Sequence, residues 1–352
     1  MSFTVLRIQN TKCWIENVHP QVLDLIDQQT SYLKDEAMAT TMPRWLIDDQ
    51  DGSAWDGWHR FLQRPEGQWP VVPAGLRFIV ESCLQHLQVP YQILDERLRP
   101  ATPGPCSVPG PISLFDYQEE AAHALCLEPD GVARMSPRAG KTRTLVEVVR
   151  RLALPTLWIA PTRGIVTQTV KAASEFLGTQ AVHITSKDWE EHKDTLLTVT
   201  TAGTMLKLPD AFWKTREHLV GDEVHHYLAN KAWGRQMLEK SSHIFHRKGM
   251  TGTFFRSRGD DLALLAYLSR VLFSIDSAEL LSRGRLVPTY MAWVPINGPQ
   301  VRRPQGATIS KGKSGEFWSP YGHGTLGLAK HQFRLDVVAS VAKHLQNKNR
   351  TV

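Results

Sequence analysis

Beyond residue 112 the hydrophobic pattern alternates between two periods. Val132 to Met135, Thr156 to Ala160, Ala181 to Thr185, Leu196 to Thr201, His218 to Asp222 and Lys248 to Thr251 are short runs, largely apolar and β-branched. Between the earlier ones lie stretches with apolar residues at helical spacing, from Tyr117 to Cys126, Lys141 to Leu152 and Gly164 to Phe176. Buried strands separated by crossover helices predict an α/β fold with a parallel, doubly wound sheet and helices on both faces. Such sheets place ligands at the carboxyl ends of their strands.

The first hundred residues follow another rhythm. Phe3 to Ile15 alternates as a strand or hairpin turning near Asn10, Val22 to Tyr32 has helical spacing, and Trp58 to Leu62 and the segment near Trp69 to Val72 read as short strands. Leu76, Ile79, Val80, Cys83, Leu84 and Leu87 line one face of a helix, and Tyr91 to Asp95 closes the unit as a strand. Arg99 to Pro111 is too rich in proline and glycine for helix or ladder pairing. The expected organisation is a small α/β domain over 1–100, a semi-stiff linker over 101–111, a larger α/β domain over 112–283 and the start of another over 284–352. In that last part 289–296 reads as a strand, 297–324 as a loop, 326–345 as an amphipathic helix and 349–352 as a strand.

Composition narrows the class. A chain of 352 residues holds two or three domains. Its 42% hydrophobic and 22% charged residues are those of an ordinary globular protein. No apolar run reaches the length of a membrane span, and the N-terminus lacks a signal-peptide pattern, so the expected compartment is the cytoplasm. Cys13, Cys83, Cys106 and Cys126 form no C-x-x-C pair and read as reduced thiols. A net charge of +6 and a pI near 9.1 suit a polyanionic partner without demanding one. Trp14, Trp45, Trp55, Trp58 and Trp69 crowd the first seventy residues, where core packing is the commoner use of tryptophan and base stacking the alternative.

Met135-Ser-Pro-Arg-Ala-Gly-Lys-Thr142 joins a predicted strand to a predicted helix. A turn of this kind points backbone N–H groups at one spot; the helix N-terminus adds partial positive charge, Lys141 a full charge, and Thr142 a hydroxyl for a metal ion. That is a polyphosphate site with magnesium. Taken alone, Gly-Lys-Thr also spells an ordinary turn with a surface lysine, and Arg138 stands where glycine is common. Val220-Gly-Asp-Glu-Val-His-His226 supplies the second part: Asp222 can hold a hydrated magnesium ion, and Glu223 can orient or deprotonate an attacking water. His225 and His226 are adjacent, point different ways and lack further ligands at metal spacing, which argues against a zinc site.

Asp-Glu-Val-His after a loop ending Gly-Lys-Thr resembles the superfamily 2 helicases and translocases of the DExH type. Phe115-Asp-Tyr-Gln118 resembles their adenine-reading Q element, with Gln118 as base reader and Phe115 where an arginine is frequent. Ile159-Ala-Pro-Thr-Arg163 resembles motif Ia, Thr198-Val-Thr-Thr-Ala-Gly-Thr204 motif Ib, and Gly249-Met-Thr-Gly-Thr253 motif III, with Gly252 in the place of an alanine. The segment Ser277 to Pro288 and, more weakly, the N-terminal unit are similar to the UvsW-type phage helicases and their XPB-like relatives. The resemblance implies a RecA-like fold, ATP and Mg2+ as cofactors, and DNA as partner. It assigns ATP to Gln118, Pro137, Arg138, Ala139, Gly140, Lys141, Thr142 and Arg143, and the ion to Thr142 and Asp222. Catalysis falls to Lys141, Asp222, Glu223 and His225, coupling to Thr251, Gly252 and Thr253, and nucleic-acid backbone contact to Pro161, Thr162, Arg163, Thr200, Thr201 and Gly203. Arg138 itself is left open between phosphate, adenosine and solvent.

Motifs IV to VI of the family do not occur before Val352. An arginine finger of the kind motif VI supplies contributes roughly 10³–10⁵ in rate. The expectation is therefore an ATP-dependent DNA helicase or branch-migrating translocase, of a bacterial or phage-infected cell, represented by its nucleotide-loading half. Such a chain would hydrolyse ATP feebly unless a second motor half or a partner supplied the arginine. Two alternatives stay open: the motor of a restriction or defence system, and a non-catalytic nucleic-acid-binding fragment.

Overall fold

The computed structural model describes residues 3–33, 58–100, 113–228, 231–252, 261–287, 310–312 and 315–317. The chain forms two compact units, Met1–Val287 and Pro288–Val352.

In the first unit a small sheet comes first. Strands β1 (Thr4–Ile8) and β2 (Lys12–Glu16) form an antiparallel hairpin; β5 (Val71–Pro73) pairs with β2, and β6 (Tyr91–Asp95) runs parallel to β1, giving the order β5-β2-β1-β6. Helix α1 (Pro20–Gln29) starts with proline in its first turn, which suits a position whose N–H has no helical partner, and buries Val22 and Ile26. It ends earlier than its spacing predicts. Thr30 closes it by returning both its N–H and its hydroxyl to the Ile26 carbonyl, and Ser31–Leu33 (β3) then pairs with Trp58–Arg60 (β4). Helix α2 (Arg77–His86) buries Val80, Cys83 and Leu84 against the sheet.

The large sheet has seven parallel strands. In chain order the elements are α3 (Asp116–Leu127), β7 (Asp130–Met135), α4 (Lys141–Leu152), β8 (Thr156–Ala160), α5 (Arg163–Leu177), β9 (Val182–His183), β10 (Leu197–Thr201), the short α6 (Ala202–Met205) and α7 (Asp210–Trp213), β11 (His218–Gly221), α8 (Lys231–Lys240), β12 (His246–Thr251), α9 (Asp261–Leu268), β13 (Val271–Ile275) and α10 (Ser277–Ser282). The strand order is β13-β7-β12-β11-β8-β10-β9, every pair parallel. This is the predicted doubly wound α/β sheet, and it is RecA-like. Strand β13 is an addition to the sequence reading.

Both faces are covered. One carries α3, α4 and α5, whose Tyr117, Leu125, Leu145, Val149, Val166 and Leu177 are buried with Trp158 of β8. The other carries α6 to α9 in one continuous core with the small sheet, including Leu6, Ile15, Leu84, Phe212, Trp213 and Tyr267. The junction is close. A Cβ on Gly75, in the turn before α2, would lie 2.2 Å from the Leu265 carbonyl and 2.7 Å from that of Ala266, so only glycine lets this backbone meet the C-terminal turn of α9.

In the second unit Ser310–Gly312 (β14) and Gly315–Phe317 (β15) pair antiparallel, within a stretch whose composition predicts a loop. The strands predicted at 289–296 and 349–352 and the helix at 326–345 lie outside the described residues.

Candidate active site

The carboxyl ends of β7, β11 and β12 are neighbours in the sheet, and each delivers part of one site. After β7 the chain turns through Pro137 and Arg138, both exposed, and Arg138 takes φ +66. Gly140 follows at φ +81, and α4 begins at Lys141. Gly140 is required twice over: its conformation disfavours a side chain, and a Cβ there would stand 2.1 Å from Gln118 Nε2. Ser136 ties the loop's base to β13, its N–H donating to the Ile275 carbonyl at 3.2 Å. Ala139 is buried. The first N–H groups of α4 have no helical acceptor and face the loop with the positive end of the helix dipole.

Lys141 closes the arrangement. Its ammonium lies 2.9 Å from Glu223 Oε1 and also reaches the Met135 carbonyl at 3.5 Å. Glu223 is held at φ +43 immediately after β11, while its Oε2 accepts from the Gly252 N–H at 3.2 Å. Burial works to raise its pKa, but the hydrogen bond and charge of Lys141 outweigh burial, and the Glu223 carboxyl is held below its ordinary value. Asp222 behaves oppositely. Burial, with the neighbouring Glu223 charge, pushes it up to about 6 against the pull of Lys141. It is 5% exposed, and its Oδ1 has no hydrogen-bond partner.

That orphaned carboxylate oxygen is the fit test for magnesium. A hard cation prefers an oxygen of this kind, and Thr142 offers a hydroxyl from the first turn of α4, at the end of the neighbouring phosphate-facing turn. Among the described residues no group of three His, Cys, Asp or Glu gathers to hold a metal. An ion here would draw its other ligands from phosphate and water, as Mg2+ does.

Behind the carboxylates, His225 Nδ1 and Thr251 Oγ1 are 2.7 Å apart, joining the segment after β11 to the last residue of β12. His225 Nδ1 is also 3.5 Å from Glu223 Oε2. A Cβ on Gly252 would come within 3.2 Å of the Lys141 ammonium, so the glycine leaves that cation its room. Thr253 lies outside the described residues. Gln118 is buried beside the loop; its Nε2 donates to the Ala139 carbonyl at 2.9 Å and its Oε1 accepts from the Phe115 N–H at 3.0 Å. Arg143 points elsewhere: its guanidinium lies 5.0 Å from the Phe176 ring centroid, packing α4 on α5.

The loops after β8 and β10 open at the same end of the sheet. Thr162 and Arg163 are exposed and Pro161 is half-buried; the Thr162 hydroxyl caps α5 by accepting from the Ile165 N–H at 3.4 Å. Thr201 caps α6 by accepting from the Thr204 N–H at 3.3 Å, and Gly203 is exposed with open space about it. Thr200 does not join them. It is fully buried, and its hydroxyl donates to the Ile184 carbonyl at 2.9 Å, so it fastens β10 to its neighbour instead of facing outward. The His225–Thr251 contact was absent from the sequence reading; the two residues lie in separate motifs, and only the adjacency of β11 and β12 brings them together.

A parallel sheet with a glycine turn opening a helix, a paired lysine and carboxylate and a buried second carboxylate defines the class: the RecA-like fold, which nucleotide-hydrolysing motors use. Residues 111–256 match the family model described as type III restriction enzyme, res subunit. That segment contains the whole of the site above. No curated protein matches the chain. Among solved structures, the UvsW helicase from bacteriophage T4 is similar at 15% identity with a TM-score of 0.62, covering 77% of this chain and 100% of that one. A second structure of T4 UvsW is similar at 16% identity and the same TM-score of 0.62, covering 77% of this chain. The present chain spans 57% of that second structure's length.

Proposed function

We propose that this chain binds ATP with magnesium at the loop 136–142 and serves a DNA helicase or branch-migrating translocase of replication, recombination or repair. The observation that carries the reading is the 2.9 Å contact of Lys141 with Glu223. Lys141 opens α4 after β7 and Glu223 follows β11, and their meeting puts a phosphate-binding cation and a water-orienting carboxylate at one point.

Each residue then has a task. The loop N–H groups and Lys141 hold the β- and γ-phosphates, and Gln118 reads the base edge. When Lys141 turns from Glu223 to phosphate, Glu223 is released to orient or deprotonate water. Asp222 and Thr142 are the residues that would hold magnesium, which neutralises charge on the transferred phosphoryl group when bound. His225, Thr251 and Gly252 link that carboxylate to the end of β12, and Thr251, Gly252 and Thr253 are assigned the coupling. Pro161, Thr162, Arg163, Thr201 and Gly203 grip the DNA backbone without reading sequence. We assign nucleic-acid binding to residues 1–100, joined by the linker 101–111 to the motor domain 112–283, with 284–352 opening a second motor domain.

Titration of fluorescent ATP–Mg2+ into wild type, Lys141→Ala and Glu223→Gln tests the site. Lys141→Ala is expected to weaken binding at least about 100-fold, as loss of a charge-assisted phosphate contact implies. Glu223→Gln should bind ATP at least as tightly as wild type, because the lysine is no longer engaged. Wild-type affinity in Lys141→Ala would sink the assignment. The res-subunit match favours one second reading, the motor of a restriction system. Binding of a four-way junction no tighter than linear duplex of equal length would favour that alternative over branch migration.

A further inference from the structure

Gln118 has two donors and two acceptor sites on its amide, and the fold already uses one of each, on Ala139 and Phe115. What remains is one N–H, within reach of the Tyr117 hydroxyl, and one lone pair, the complement of the adenine N6–H and N7 edge. That accounts for the edge of a base and supplies nothing to its face. A flat partner beside Gln118 is needed, and the chain provides one from an unexpected place.

Phe115 is one backbone hydrogen bond from Gln118 and 43% exposed. Its ring has the buried Tyr117 on one side, at 5.9 Å between centroids and 25° between planes. The Arg285 guanidinium covers the ring, 4.1 Å from its centroid, and Arg285 is itself exposed. The arginine is not on a loose tail. Helix α10 ends with Gly284 at φ +65; the Gly284 N–H returns to the Leu281 carbonyl at 3.0 Å and the Arg285 N–H to that of Leu280 at 2.8 Å, the paired bonds of a Schellman motif. Arg283, one turn-residue earlier, is anchored to Asp116 of α3 at 3.1 Å and to Glu279 at 2.7 Å. Leu286, just after, packs on the core. The guanidinium is thus presented over Phe115 from a fixed backbone.

We propose that Arg285 is the base-stacking residue of the nucleotide site: a purine lies on the outer face of its guanidinium, and Phe115 backs the inner face. The inference rests on the ATP site proposed above and adds its specificity. A planar cation between an aromatic ring and a base gains from both π-systems, and the larger face of a purine gains more than a pyrimidine's.

Equilibrium binding of ATP, CTP and inorganic tripolyphosphate, each with Mg2+, to the 352-residue chain and its variants tests this. Arg285→Ala is expected to weaken ATP about 5- to 20-fold, in line with loss of one cation–π stack, and to erase most of the preference for ATP over CTP. Tripolyphosphate affinity should not change. Arg285→Lys should fail to restore ATP binding, because an ammonium has charge without a face, and Phe115→Ala should fall in the same direction as Arg285→Ala. Equal weakening of ATP and tripolyphosphate, or full rescue by lysine, would show a mere phosphate-attracting charge and overturn the proposal, as would unchanged ATP affinity in Arg285→Ala. Failure of wild type to bind both ATP and tripolyphosphate would instead refute the phosphate loop itself, and this inference with it.

Discussion

Gly140 shows how one residue can be constrained from two directions. Its left-handed backbone costs an alanine about 1–2 kcal/mol, and the Gln118 amide occupies the space a methyl would take. Gly140→Ala is therefore expected to displace Gln118, lose the Ala139 carbonyl bond and lower ATP affinity at least about 10-fold, the effect of removing roughly 1.4 kcal/mol. Circular dichroism should stay unchanged, and wild-type nucleotide affinity would contradict the account. At this scale much of the site is legible in sequence, because Gly-Lys-Thr and Asp-Glu are local spellings of local geometry. Thr200 and Arg143 show the limit. Side chains alternate along a strand and rotate around a helix, so a threonine next to a loop points inward and an arginine after a phosphate loop lands on Phe176.

Between elements, the contact that matters most is that of Gly75 with the end of α9. Gly75→Ala drives a methyl to 2.2 Å from a backbone carbonyl that no rotamer change can move. Overpacking of this kind costs typically 1–3 kcal/mol, and for a chain of this length about 2 kcal/mol lowers Tm by roughly 3 °C. A thermal melt within 1 °C of wild type, by the same rule roughly, would show that the lobe and helix separate freely. The period change after residue 112 announced the large sheet, and strands β8 and β6 and helix α4 fall on the predicted residues. Strand β13 was missed although Val271 to Ile275 is an apolar run bounded by Arg270 and Asp276. Its place beside β7 is a fact of topology, which periodicity does not carry. The all-apolar face of α9 likewise has no helical stripe, because it is buried from both sides, by Gly234 and Phe61 around Tyr267.

For the whole molecule, the end of the sheet opposite the site governs acid stability. His218 is fully buried, its Nδ1 3.0 Å from Thr156 Oγ1, and its ring meets that of His246 edge-on at 6.3 Å between centroids. Burial, then the neighbouring His246 and Lys248, lowers the His218 pKa well below its ordinary value; burial, with Lys248 and Arg247, pushes His246 down to about 3. Both imidazoles fold neutral. Their unfolded pKa of about 6.5 lies above the folded one, so the stability they contribute is present above that pH and is lost as pH falls below it. Lys248, pushed down to about 8 mainly by burial, is already protonated throughout this window and does not alter the slope. The two histidines together approach about 2.7 kcal/mol per pH unit, and Asp222, which takes up a proton near pH 6 in the folded chain, offsets up to about half of it. The urea midpoint should therefore fall steadily from pH 7 to pH 5, and less steeply in His246→Phe. A midpoint that holds constant over that range would refute the assignment.

Strand β7 leads into the loop 136–142, yet its two neighbours are β12 and β13. A ribosome delivers β7 by residue 135 and completes β13 only at residue 275, a gap of 140 residues. At about 5–20 residues per second that is roughly 7–28 s. Until residue 251 completes β12, β7 has neither neighbour, and the second follows only with β13. The loop 136–142 is thus among the first parts of the sheet's rim to be made and among the last to be set in place. An ATP analogue added to ribosome-arrested chains should be retained by those extending well past residue 275 and by none ending before residue 246, where β12 begins.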